Sequence, residues 1–137
     1  QRLTGIEQLI PDPHLHGAGL QQTKRGGVLN VHAADVDIAS ELGLFRRASL
    51  FVYLNEGWKE AWGGALDLWN DAMEPSTAKR ILPILDRMVI FSSTCRSRHG
   101  YPAPVSSPPG VTRRSIVVHY YTAAAASSDG GCSEVSP

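Results

Sequence analysis

The chain has 137 residues, the size of one domain, and 42% of them are hydrophobic, which is enough for a modest core. Thirteen basic and thirteen acidic side chains cancel, so the net charge gives no electrostatic reason to expect binding to nucleic acid or to an anionic membrane surface. No apolar run approaches the roughly 20 residues of a membrane-spanning helix, and the sequence shows no secretory signal peptide.

Short segments with the composition of β-strands dominate the chain after an N-terminal loop, "PDPHLHGAG". Alternating or β-branched residues bounded by Gly, Pro and Asn predict strands within residues 19–26, 27–36, 46–55, 56–69, 80–93 and 112–122. The segment 56–69 is expected to form a hairpin that turns near Gly63-Gly64, and 80–93 to form two strands around a turn at 85–87. Residues 71–80 form a polar connector with room for a short helical turn. This pattern predicts an all-β sandwich or barrel of the jelly-roll kind.

The C-terminal segment differs in composition from the rest of the chain. Residues 123–137, "AAAASSDGGCSEVSP", lack the apolar side chains needed for folding, so we expect a folded domain over residues 1–122 and a disordered tail over 123–137. Cys132 lies in this tail and Cys95 in the domain, a pairing that makes a poor disulfide framework. Free thiols in a reducing compartment, such as the cytoplasm, are therefore favoured, although the sequence leaves the localisation and the oligomeric state open.

Two histidines stand out as candidate ligands. Strand alternation places Val28, Asn30 and His32 on one face, and His99 is expected where a short strand ends and a loop begins. Each histidine taken alone is more often a hydrogen-bonded core residue than a ligand.

The last predicted strand places Arg113, Ser115, Val117, His119 and Tyr121 on one face. A guanidinium directed into an apolar interior is costly unless an anion meets it. Its planar fork can bind a carboxylate through two hydrogen bonds, and a serine hydroxyl two residues later adds a donor. His119 fits either a pocket residue or a core histidine.

Two histidines and one carboxylate on one face of an octahedral metal are the ligands of non-haem Fe(II) oxygenases. Four segments of this chain resemble the prolyl-4-hydroxylase-like branch of the Fe(II)/2-oxoglutarate-dependent oxygenases. They are "LIPDPHLHGAGLQQTKRGGVLNVHA", "LGLFRRASLFVYLNEGWKEAWGGALDLW", "RMVIFSSTCRSRHGYPAP" and "GVTRRSIVVHYYT". The resemblance extends over nearly all of the chain except the tail.

The resemblance implies a mainly all-β, double-stranded β-helix (jelly-roll or cupin-like) barrel, shortened at the N-terminus because supporting helices would precede Gln1. It implies Fe(II), with 2-oxoglutarate as co-substrate and ascorbate as a further candidate cofactor. The implied reaction is hydroxylation of a C–H bond in a prolyl or other residue of a protein, or in a small molecule. His32, Asp35 and His99 match the metal ligands. Arg113 matches the residue that pairs with the 2-oxoglutarate C5 carboxylate, and Ser115 its neighbour.

The metal motif departs from the family pattern, which is His-x-Asp, because His32 is followed by Ala33, Ala34 and then Asp35. In one interpretation a β-bulge absorbs the extra alanine and Asp35 remains the ligand. In a second, Ala34 takes the place of the carboxylate, as in the halogenating members of the family. In a third, the site is impaired and the domain is an oxygenase-like binding module. Despite the insertion, an aspartate still follows His32, and the family spacing is preserved on both sides of the motif, which favours the bulge.

Other polar and aromatic side chains are expected to have structural roles. The three tryptophans are interpreted as core and hairpin packing, and His14 and His16 as surface residues of a loop. Arg46 and Arg47, at the start of a strand, are interpreted as a solvated pair of charges. A structural β-sandwich with incidental His and Arg residues is disfavoured by the combination of His32, His99, Arg113 and Ser115.

Overall fold

A computed structural model of the chain describes residues 3–12, 14–33, 44–70, 72–74, 78–94 and 96–123. This part contains nine strands and one 3₁₀ helix, Glu60–Trp62, and no α-helix. The strands are β1 (Ile10–Pro11), β2 (Gly19–Thr23), β3 (Leu29–His32), β4 (Phe45–Tyr53), β5 (Leu66–Trp69), β6 (Lys79–Ile81), β7 (Met88–Ser92), β8 (Arg98–Tyr101) and β9 (Arg113–Thr122).

The strands form two antiparallel sheets. The larger has the order β1-β9-β4-β7, and β2 pairs with β9 beside β1; the smaller has the order β3-β8-β5-β6. Most neighbours in each sheet are distant in sequence, as in a chain that passes repeatedly between two facing sheets. The structure thus has the predicted architecture, a double-stranded β-helix.

The main core lies between the two sheets. Phe51, Tyr53, Phe91 and Val117 come from the larger sheet and pack against Leu66 of the smaller one. In β9 the odd-numbered residues are buried while the even-numbered ones are partly or fully exposed. This strict alternation assigns one face of the longest strand to the barrel interior.

The predicted hairpin over residues 56–69 is wrong in its first half. Only Leu66–Trp69 forms a strand, whereas the preceding residues form a compact turn around the 3₁₀ helix. Trp58 and Trp62 fold together, with ring centroids 5.4 Å apart, and the indole N–H of Trp58 donates to the carbonyl of Gly63 over 3.0 Å. Residues four apart in an extended strand are about 13 Å apart, so ring centroids 5.4 Å apart belong to a compact turn and not to a strand.

Each of the other predicted strand segments contains an observed strand, including the two on either side of the turn at 85–87. Residues 34–36 of the predicted segment 27–36 lie outside the described residues. Asp35, Ala34, Cys95 and Cys132 lie outside the described residues, as do all of the predicted tail except Ala123 and much of the polar connector. Within the described part of the chain, no helix has the length and apolar character needed to cross a membrane.

Candidate active site

The two histidines of the predicted metal site face each other across one pair of strands. His32 at the end of β3 is the register partner of His99 in β8, and their ring centroids are 4.3 Å apart with planes inclined by 52°. The expected position of His99 at a strand end is wrong, because the residue lies inside β8, which pairs with β3 on one side and β5 on the other. This double pairing fixes the backbone under His99 from both sides.

Both imidazoles retain a ring nitrogen for a ligand. The Nδ1 of His32 lies 2.8 Å from the carbonyl oxygen of Asn30, so Nδ1–H donates to that oxygen and Nε2 keeps its lone pair. His99 is buried, and its Nδ1 has no hydrogen-bond partner among the described residues. Burial, together with the nearby His32, His119 and Arg46, lowers the pKa of His99 to about 4. The imidazole is therefore neutral at pH 7, the form that binds a metal.

This pair fits two ligands of one metal ion. Two imidazoles bound at about 2.1 Å to adjacent positions of a metal have ring centroids about 4–5 Å apart, close to the observed 4.3 Å. Among the described residues, no third His, Cys, Asp or Glu joins His32 and His99 in a metal-binding group. The predicted third ligand, Asp35, lies outside the described residues, and so does the predicted bulge at Ala34. The irregularity that the structure describes in β3 lies earlier, between Leu29 and His32.

A second polar cluster lies where β4 ends and β9 begins. Arg113 and Ser115 lie on the face of β9 that points into the barrel, as predicted, and Tyr53 of β4 is the register partner of Ser115. All three side chains are at most 2% exposed. Arg113 Nη2, Ser115 Oγ and Tyr53 OH have no hydrogen-bond partner among the described residues. Buried donors without partners are rare and costly in folded proteins, so this cluster is suited to an acceptor supplied by a ligand.

The guanidinium of Arg113 is held in place by its surroundings. Its Nε donates to the carbonyl of Gly64 over 2.8 Å, and its central carbon lies 4.3 Å from the ring centroid of Tyr101 and 5.1 Å from that of Tyr53. Gly64 has a positive φ of 68°, and an added Cβ there would lie 3.1 Å from Arg113 Cδ. The close approach therefore requires glycine.

Tyr53 is a candidate functional residue that the sequence prediction missed. Burial raises the pKa of Tyr53 to about 12, and the adjacent positive charge of Arg113 partly opposes this rise. The Tyr53 hydroxyl makes no hydrogen bond to Arg113 or to any other described residue. The phenol therefore stays protonated and can donate. Tyr53 lies two and four residues after Phe51 and Ser49 in β4, so strand alternation predicts that it faces the barrel interior with them. Only the pairing of β4 with β9 places it beside Ser115.

His119 connects the barrel interior to the loop between β1 and β2. Its Nδ1 lies 2.8 Å from Ser49 Oγ and its Nε2 lies 3.2 Å from the carbonyl oxygen of Gly17. The carbonyl requires a donor, so Nε2 carries the proton and Nδ1 accepts from the serine. Burial and the nearby Arg46 lower the pKa of His119 to about 4. Of its two predicted roles, a hydrogen-bonded core histidine agrees better with these contacts.

The family assignment follows from a comparison with protein-family models. Residues 18–122 match the model of the 2OG-Fe(II) oxygenase superfamily. The match covers more than half of the chain, and the chain belongs to this superfamily. Among curated proteins, no match to the sequence is found.

Several solved structures share the fold. A prolyl-4-hydroxylase from Pseudomonas putida matches with a TM-score of 0.57 and 20% identity, over 74% of this chain and 49% of that one. A prolyl hydroxylase from Trichoplax adhaerens, in complex with a hypoxia inducible factor peptide fragment, has a TM-score of 0.55 and 22% identity over 74% and 41%. A prolyl 4-hydroxylase structure from Phytophthora capsici has a TM-score of 0.53 and 24% identity over 74% and 30%. The chain spans less than half the length of each of these proteins.

Proposed function

We propose that this protein is an Fe(II)- and 2-oxoglutarate-dependent dioxygenase that hydroxylates a C–H bond. His32, Asp35 and His99 would hold the iron. Arg113, Ser115 and Tyr53 would bind the distal carboxylate of 2-oxoglutarate. Of these residues, Tyr53 is an addition from the structure, and Asp35 rests on the sequence resemblance.

One observation carries the proposal: at one end of the β4–β9 pair lie three buried donors that have no partner among the described residues. A carboxylate accepts several hydrogen bonds at once, so it could satisfy all three. The permanent charge of the Arg113 guanidinium, held between two aromatic rings, selects an anion over a neutral acceptor. Water could satisfy the hydroxyls, but it would not neutralise the buried charge.

The bound iron and 2-oxoglutarate would supply the oxidising chemistry, and the chain would supply binding and geometry. His99 stays neutral at pH 7 because burial lowers its pKa to about 4, and the Nδ1–H of His32 donates to the carbonyl of Asn30, which leaves its Nε2 to face a metal. Tyr53 stays protonated and donates. The proposed iron site lies on the strand pair β3–β8 and the proposed 2-oxoglutarate pocket on β4–β9, so a rigid barrel would set the distance between them.

The substrate class belongs to the same proposal. The Trichoplax adhaerens relative was solved with a peptide fragment, which supports a prolyl or other residue of a protein as the substrate. A small molecule is the other candidate. Ascorbate is kept as a candidate cofactor, and a reducing compartment remains a prediction.

The alternative function is a catalytically impaired binding module, in which the carboxylate pocket is kept and iron is not held. The alanine inserted before Asp35 motivates this alternative. The two functions differ in metal binding and share the binding of a dicarboxylate.

An anaerobic titration with Fe(II) and then 2-oxoglutarate tests the proposal. We expect the visible absorption band of an iron–2-oxoglutarate chelate, and its loss in His99→Ala and Asp35→Ala. A band that survives Asp35→Ala would instead support Ala34 at the carboxylate position. Absence of the band in folded protein, with 2-oxoglutarate still bound, would favour the binding module.

A calorimetric titration with 2-oxoglutarate tests the carboxylate pocket separately. A hydrogen bond to a charged group contributes about 1.5–3 kcal/mol, so Tyr53→Phe and Ser115→Ala should each raise the dissociation constant by about tenfold or more. Tyr120→Phe is the matched control, because Tyr120 lies on the opposite face of β9. Equal affinities in all four proteins would refute the assigned pocket.

A further inference from the structure

Tyr101 contacts Arg113 and shares a strand with His99. It is buried in β8, and its ring centroid lies 4.3 Å from the central carbon of the Arg113 guanidinium. His99 precedes it by two residues in the same strand. Side chains two residues apart in a strand point to the same face and lie about 6.7 Å apart along the strand. Tyr101 therefore connects the strand of a proposed iron ligand with the cation that would hold the far carboxylate of 2-oxoglutarate.

A hydrogen bond fixes the ring of Tyr101 against Arg113. The Tyr101 hydroxyl lies 2.9 Å from Thr23 Oγ1. Thr23 belongs to β2 and is the register partner of Arg113 in the β2–β9 pair. The tyrosine side chain thus reaches from the smaller sheet to the larger one beside the guanidinium. It cannot rotate away from Arg113 without breaking this hydrogen bond.

The backbone that carries Tyr101 is also fixed. The strand β8 pairs with β3 on one side and with β5 on the other. At Gly100 an added Cβ would lie 2.7 Å from the carbonyl oxygen of Leu29 and 3.0 Å from that of Asn30. Because β3 is packed this closely against β8, the strand cannot yield when a ligand presses on Tyr101.

Arg113 offers a carboxylate only part of its guanidinium. The ring centroids of Tyr101 and Tyr53 lie 4.3 and 5.1 Å from its central carbon. Its Nε donates to the carbonyl of Gly64, whereas Nη2 has no partner among the described residues. A carboxylate binds a guanidinium in the plane of its N–H groups. A bound diacid therefore has one narrow position for its far carboxylate, at Nη2.

We propose that Tyr101, held by Thr23, sets the chain length of the dicarboxylate that this pocket accepts. The inference rests on the proposed function, in which the other end of the dicarboxylate is bound at the histidine pair. One additional methylene group lengthens an extended diacid by about 1.3 Å. Because Tyr101 keeps the Arg113 guanidinium from moving by that distance, the pocket accepts the five-carbon 2-oxoglutarate and discriminates against the six-carbon 2-oxoadipate. Tyr101 acts through Arg113 and is a positioning residue.

Anaerobic calorimetry with Fe(II) present measures the dissociation constants of 2-oxoglutarate and 2-oxoadipate. Their ratio reports selection by length separately from overall stability. Tyr101→Leu removes the ring, Tyr101→Phe keeps the ring without its hydrogen bond, and Thr23→Val removes the hydrogen bond alone. Tyr120→Leu is the matched control, because Tyr120 lies on the opposite face of β9 from Arg113. The Nε–Hε resonance of Arg113, followed by NMR in the metal-free protein, reports the contact with the ring.

We expect the wild-type protein to bind 2-oxoglutarate about tenfold or more tightly than 2-oxoadipate, the discrimination that one methylene group usually allows. This preference should fall to about threefold or less in Tyr101→Leu and Thr23→Val, and it should persist in Tyr120→Leu. The Arg113 resonance should move in Tyr101→Leu and stay near its wild-type position in Tyr101→Phe.

An unchanged preference in Tyr101→Leu would overturn the inference, as would equal affinities for the two diacids in the wild-type protein. If Tyr101→Leu does not fold, an unchanged preference in Thr23→Val overturns it instead. In each of these cases 2-oxoglutarate still binds, and the proposed function stands. If the folded wild-type protein binds neither diacid, both the inference and the proposed function are refuted.

Discussion

Moderate acid should destabilise the metal-free protein through its buried histidines. The pKa values of His99 and His119 are both lowered to about 4 from an ordinary value of 6.5, chiefly by burial. The unfolded chain therefore takes up protons first as the pH falls. Stability from these two groups is fully present above pH 6.5 and is lost between pH 6.5 and about 4.

The size of the loss follows from the two pKa values. At about 1.36 kcal/mol per pKa unit, each histidine should lower the free energy of unfolding by about 2 kcal/mol at pH 5, relative to pH 7.5. Together they cost about 4 kcal/mol, out of the roughly 5–15 kcal/mol typical of a domain. Asp12 does not contribute in this range. Burial raises the pKa of its carboxyl, but hydrogen bonds from His14 and His16 outweigh burial and hold it below 3.8.

Urea denaturation at pH 7.5, 6 and 5, with a chelator present, measures this loss. His119→Gln is the informative variant, because an amide can keep the hydrogen bonds to Ser49 and Gly17 without titrating. We expect the loss between pH 7.5 and pH 5 to fall from about 4 to about 2 kcal/mol in this variant. An unchanged loss in His119→Gln, or a protein that gains stability on acidification, would refute the reasoning.

Three further substitutions test the structure around the site. Gly64→Ala should lower the free energy of unfolding by about 1 kcal/mol or more and weaken 2-oxoglutarate binding, because the new Cβ would lie 3.1 Å from Arg113 Cδ. Gly110 also has a positive φ, but a Cβ there would meet nothing within 4 Å, so Gly110→Ala should leave 2-oxoglutarate binding unchanged in calorimetry. Asn55→Ala should lower the free energy of unfolding in urea by about 2–4 kcal/mol, because the buried amide makes three hydrogen bonds to backbone groups; a loss below about 1 kcal/mol would contradict this. Arg80→Ala should cost about 1–3 kcal/mol, because the Asp67 side chain is only 8% exposed and would lose both hydrogen bonds from the largely exposed Arg80. A cost near zero in urea denaturation would mean that water replaces Arg80 at this carboxylate.

Local patterns in the sequence predicted much of the architecture and part of the site. The alternation along residues 112–122 is a property of the strand itself, so the shared inward face of Arg113 and Ser115 could be predicted without any partner strand. The same holds for β4, whose apolar alternation identifies it as a half-buried strand. The first half of the hairpin predicted over residues 56–69 is wrong because Trp58 and Trp62 pack together in a compact turn, a contact that strand propensity does not describe.

The sequence by itself determined which side chains alternate toward a barrel interior and which residue types could bind iron and a carboxylate. Only the tertiary structure decided which of them meet. Tyr53 joins Ser115, and His32 meets His99, because register pairs strands far apart in the chain. Arg46 turns inward because one extra residue shifts that register. Strand pairing uses backbone hydrogen bonds that every residue except proline can both donate and accept, so the alternation along one strand does not identify its partner strand.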